Sequence, residues 1–139
     1  MPIEANLIVA QSVLDRDEGN ISALGMGWQV RTPEPIPWAL AVILQCSRDL
    51  IGTEHLAKIS LEKEDDSPID EGLAEILGIE FPFTPEGRTE DGLVSPVVRS
   101  YGFNLLPIPL EPGVEYRFRL QIDGETHDHW TASFRTTPP

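Results

Sequence analysis

This sequence predicts an all-β fold, a single-domain antiparallel β-sandwich of about seven or eight strands with at most one short helix. Three observations predict it. Apolar and polar residues alternate from Val114 to Arg135, through Tyr116, Phe118, Leu120 and Ile122 and then Trp130, Ala132 and Phe134, which is the two-residue period of a half-buried hairpin. The 13 Pro and 11 Gly cut the chain into segments that suit short strands better than long helices. A hydrophobic content of 40%, with three Trp and five Phe, supplies a core, and 139 residues give one domain room to bury it without disulfides or metal.

Taken in order, Ala5 to Leu14 is β-rich and runs into the polar loop Asp15 to Asn20, so a second strand from Ile21 to Arg31 follows a turn. Gly25 and Gly27 leave room there for a bulge or a close backbone, with Trp28 as a core anchor. The segment from Thr32 to Pro37 holds three prolines and is expected to run extended from one sheet to the other. Trp38 to Cys46 is almost continuously apolar, as a central strand covered on both faces would be, with a short helix as the alternative. Leu56 to Glu64 alternates, placing Ile59 and Leu61 inward and Lys58, Ser60 and Glu62 outward. Asp65 to Pro68 breaks that strand, Ile69 to Leu77 has the makings of a helical turn, and Ile79 to Phe83 resumes as a strand. Residues 84–96, rich in Pro, Gly and acid, read as a long mobile loop, and Ser100 to Leu110 ends at an edge marked by Pro107 and Pro109. The expected core is Leu7, Val9, Trp28, Leu40, Val42, Leu61, Phe103, Tyr116, Phe118, Leu120, Trp130 and Phe134.

The last hairpin carries a parity constraint, because its two apolar sets must share one face. A two-residue Asp123-Gly124 turn pairing Ile122 with Glu125 would put Trp130 on the face of Arg117 and Arg119. An odd loop, Asp123-Gly124-Glu125, is therefore expected, pairing Phe118 with Trp130 and Tyr116 with Ala132. It would gather Arg117, Arg119, His127 and His129 on the opposite face as a locally basic, candidate ligand-binding spot.

The opening strand pair around Asn20 to Trp28, the passage through Pro37 to Val42, and the ending with Phe103 to Leu105, Leu110 to Gly113, Tyr116 and Ile122 to Glu125 resemble an uncharacterised group of small β-sandwich domains of bacteria, notably actinobacteria and their phages. The likeness spans most of the chain and departs from the group in the acidic insert from Asp65 to Leu77. The resemblance implies a sandwich and a phage or prophage setting, and brings no catalytic residues with it.

A formal net charge of -13 sets the chain against phosphate backbones and anionic lipid surfaces, so neither nucleic acid nor membrane is an expected partner. The single Cys46 closes no internal disulfide and, at the end of an apolar run, reads as a buried structural thiol. The first residues have neither a basic start nor a long apolar run, which reads as a cytoplasmic protein, of the bacterial or host cell, or one associated with a virion. His127 and His129 with Glu125 are the candidate metal ligands, but an exposed hairpin end explains them as well. The acidic residues Glu62, Glu64, Asp65, Asp66, Asp70 and Glu71 lack the glycine and donor spacing of a calcium loop and read as a solvated charge run. No nucleophile elbow or phosphate-cradling glycine loop is present, so no catalytic residue and no cofactor is expected. The expectation is a non-catalytic protein-interaction or structural module whose partner is another protein or a second copy. The alternatives are a binder of a small anionic ligand at Arg117, Arg119, His127 and His129, and a metal-dependent enzyme.

Overall fold

Strands form where the two-residue period lies, and their apolar faces meet across two sheets. The computed structural model describes residues 3–15, 21–86 and 97–139. Strands β1 (Ile3–Ala10), β5 (Trp38–Cys46) and β8 (Val97–Leu105) make a three-stranded sheet in the order β1-β5-β8. Strands β4 (Val30–Arg31), β6 (His55–Lys63), β7 (Ile79–Phe83), β9 (Glu115–Ile122) and β10 (Thr131–Thr136) make a five-stranded sheet in the order β4-β10-β9-β6-β7. A separate ribbon pairs β2 (Ser12–Asp15) with β3 (Ile21–Leu24), and one helix, α1 (Glu71–Leu77), follows β6. The expected antiparallel pairing is corrected at one place, where β4 runs parallel to β10 through Val30 and Arg31 alone. A parallel pair needs a long connection, and here most of the domain lies between its two strands.

The inward side chains of β1 and β5, among them Leu7, Val9, Trp38, Leu40 and Val42, meet Ile59, Leu61, Tyr116, Phe118, Leu120 and Phe134 of the other sheet. Trp38 joins the layers, its ring centroid 5.6 Å from those of Phe118 and Phe134. Of the expected core, Trp28 and Phe103 stop at the margin, partly buried against it. The proline segment after β4 carries the chain from the five-stranded sheet to β5 of the other, with the Pro33 carbonyl accepting the Leu110 N–H. Arg31, at its start, is buried and pairs with no carboxylate among the described residues. Its guanidinium donates to the carbonyls of Thr32 and Glu34 and lies 4.6 Å from the Trp38 ring centroid, so backbone dipoles and a cation–π contact stand in for a counter-charge.

The hairpin of β9 and β10 corrects the expected loop. Asp123 and Gly124 form the two-residue turn that parity argued against, with φ of 51° and 83° and an Ile122–Glu125 bridge. Parity is restored downstream, where the chain turns out of the ladder, the Trp130 N–H donates to the His127 carbonyl and pairing resumes opposite Leu120. Phe118 therefore faces Ala132, not Trp130, and Tyr116 faces Phe134, not Ala132. Trp130 still reaches the core, fully buried.

The helix occupies the insert as a single short element, capped by Asp70, whose carboxylate accepts the Gly72 N–H at 3.3 Å. Leu77 seals it against the core. Of the loop expected at 84–96, residues 84–86 follow β7, with the Pro85 carbonyl accepting the Gly52 N–H, and 87–96 lie outside the described residues. No helix among the described residues is long and apolar enough to cross a membrane.

Candidate functional site

The outer face of the five-stranded sheet holds Arg117 and Arg119, placed there by the alternation of β9. The registers bring Glu62 of β6 opposite Arg117 and Ser60 opposite Arg119. Arg117 donates from Nε to Glu62, from one terminal nitrogen to Glu64 at 3.2 Å and from the other to Asp66 at 2.7 Å. Arg119 donates from Nε to the same Glu62 oxygen at 2.7 Å. Burial alone would raise the Glu62 carboxyl, but the hydrogen bonds and charges of the two arginines hold it below its usual range. The Glu62 bond in turn pushes the Arg117 guanidinium up. The acidic run that follows β6 thus folds back over the arginines, and Ser133 of β10 joins by donating to Glu64. An incoming anion would have to displace these carboxylates from Arg117.

The two histidines expected beside the arginines lie elsewhere in the hairpin. His127 and His129 occupy the excursion before β10, not a ladder position facing Arg117. The His127 ring packs at 4.5 Å from that of Trp130, with Nε2 at 3.4 Å from Glu125, and His129 reaches Glu4 of β1 at 3.4 Å. The structure therefore brings Arg117 and Arg119 together and leaves His127 and His129 apart from them. Among the described residues no group of three His, Cys, Asp or Glu gathers as metal ligands, so Glu125, His127 and His129 do not make the candidate metal site.

The outer face of the three-stranded sheet is built differently. Ala10, Ala39 and Ala41 lie under the ribbon with Val13, and Ile21 and Ala23 pack beside them. Small residues let the ribbon approach. A Cβ at Gly102 would stand 2.8 Å from Val13 Cγ2 and 2.9 Å from Val13 Cβ, so this glycine is the notch that receives Val13. Asn104 locks the fit, its amide oxygen accepting the Val13 N–H at 3.1 Å and its amide nitrogen donating to the Val13 carbonyl at 3.0 Å. Two further bonds, Gln11 N–H to the Leu24 carbonyl and Gly27 N–H to the Val9 carbonyl, tie down its base.

Because side chains alternate along a ribbon, seating Val13 and Ala23 inward turns Leu14 and Leu24 outward. They are 65% and 69% exposed, and Met26 at the following bend is 49% exposed. No other described hydrophobic side chain is as exposed as these two leucines. No signal in the sequence singles them out, because an apolar residue in a strand reads as core. A groove of roughly 550 Å³ between α1 and the segment 109–112 has Ile69, Leu73 and Leu110 in its walls and a Lys63–Glu111 ion pair at 2.7 Å. No family model, curated protein or solved structure matches this chain.

Proposed function

We propose that this chain is a non-catalytic protein-interaction module that docks a partner protein on the outward face of the β2–β3 ribbon. The exposed Leu14 and Leu24, on one face of the ribbon at diagonal positions opposite Ser22 and Ser12, carry this reading. Large apolar side chains fixed on a surface make an anchor whose affinity is not spent on ordering a loop. The net charge of -13 selects the occupant, since a second copy would bring like charge and a basic partner would be drawn in. The partner is therefore a protein segment with an apolar centre and lysine or arginine flanks. The resemblance drawn from the sequence extends the proposal to a phage or prophage setting, with the module on a virion or acting on a host factor.

A random peptide display library panned on wild-type protein and on the double variant Leu14→Asp, Leu24→Asp tests the reading. It predicts enriched peptides with apolar centres and basic flanks that the variant no longer selects. Enrichment that survives the double variant would overturn it.

A further inference from the structure

Thr53, His55 and Asp123 stand in a hydrogen-bonded line where the connection before β6 meets the β9–β10 turn. His55 Nδ1 lies 2.6 Å from Asp123 Oδ2, and His55 Nε2 lies 2.6 Å from Thr53 Oγ1. The second carboxylate oxygen, Oδ1, accepts the Leu56 N–H at 3.0 Å, and the Asp123 N–H donates back to the Leu56 carbonyl. The Leu56 amide and the His55 ring hold the Asp123 carboxyl below its usual range, so it is ionised at neutral pH. Asp123 is the charged group in contact with the ring among the described residues. Arg48, Asp49 and Glu54 of the connection, Glu86 after β7 and Glu125 of the turn make no ion pair with it.

An ionised carboxylate on Nδ1 draws the single proton of a neutral imidazole to that nitrogen and leaves a lone pair on Nε2. The one proton of the Thr53 hydroxyl then has two acceptors at 2.6 Å, the Leu50 carbonyl and the Nε2 lone pair, and turned to Nε2 it is a hydroxyl with its base attached. Thr53 is exposed, and beyond Gly52 and its two chain neighbours no heavy atom lies within 4 Å of where a Cβ would stand on Gly52, so the approach beside it is open.

We propose that Thr53 is a modification site, a reactive hydroxyl that takes an acyl group from an activated ester or thioester, with His55 as its base and Asp123 as a positioning residue. Thr53 Oγ attacks the acyl carbonyl carbon while His55 Nε2 accepts the hydroxyl proton. The bond from the acyl carbon to the leaving oxygen or sulfur then breaks, and His55 returns the proton to that leaving group. The product is an O-acyl threonine, with no change of oxidation state. An acyl donor suits the surroundings better than a phosphoryl donor. The acidic chain repels polyphosphates, whereas Phe83 stacks on His55 at 5.3 Å between ring centroids, and the exposed Ile51 and Leu56 flank the line in sequence.

The test is incubation of the full chain with p-nitrophenyl acetate, followed by intact mass measurement and peptide mapping. One acetyl group on Thr53 is expected. Thr53→Ala removes the adduct and Thr53→Ser keeps it. His55→Gln slows it about a hundredfold. Asp123→Asn slows it in the wild-type background and has no further effect in His55→Gln, since Asp123 acts through His55, whereas a merely structural role would slow both backgrounds alike. Absence of an adduct on Thr53 in the wild type, or one formed as fast in His55→Gln, overturns the proposal.

Discussion

On the five-stranded sheet the outer face carries Arg117 and Arg119 enclosed by Glu62, Glu64 and Asp66, whereas the outer face of the three-stranded sheet carries Ala39, Ala41 and Gly102 beneath a ribbon. Charges on neighbouring strands satisfy one another in place, and the acidic insert needs only to fold over them. Apolar surface has no such recourse and must be covered by another element. A two-stranded ribbon has two faces, so covering the sheet with one of them turns Leu14 and Leu24 to solvent on the other. The charged face is closed on itself and the apolar face has been moved outward, which is why the docking surface is proposed on the ribbon.

The largest effect that separates the two faces is expected at Gly102. Gly102→Val drives a branched side chain into Val13 and should cost about 1–3 kcal/mol in denaturant unfolding. The ribbon amides should lose hydrogen-exchange protection while the arginine face keeps its own. Asn104→Leu leaves the Val13 N–H and carbonyl without partners near an apolar seat, so about 1–3 kcal/mol is expected, again confined to the ribbon. Arg117→Met leaves Glu64 and Asp66 without that cation and Glu62 with Arg119 alone, and should cost about 1 kcal/mol, a loss that shrinks in salt and leaves ribbon protection unchanged.

Acid sharpens the same contrast. The folded-state value of Glu62 lies below its unfolded value, so its contribution is full above the ordinary carboxylate range and is lost as pH falls through the lowered value. Below about pH 4 wild-type stability should fall more steeply than that of Glu62→Gln, as read by thermal unfolding across pH. The smallest effect is at the ribbon surface, where Leu14→Asp with Leu24→Asp should change stability by no more than about 0.5 kcal/mol each while abolishing peptide selection.

The strands were legible because one face of each is buried, and burial writes itself as a period of two. Tyr116, Phe118, Leu120 and Ile122 are fully buried in that order. The loop between β9 and β10 was not legible, because parity distinguishes odd from even and not one odd solution from another. A three-residue loop and a two-residue turn with an odd excursion before Trp130 place the same side chains inward. The state of Arg117 depends on the pairing of β6 with β9, a contact between segments 55 residues apart that no local pattern announces. Gly102 carries a legible signal, since a glycine inside an alternating strand marks a close approach. His55 and Asp123, 68 residues apart, meet only through the same β6–β9 register.

Native mass spectrometry of untagged protein isolated from its own cells, compared with the Leu14→Asp, Leu24→Asp variant expressed the same way, tests the central claim most directly. Wild-type chain carrying a heterologous protein that is missing from the variant is the predicted result. The same protein retained on the variant, or a bare monomer in both, would contradict it.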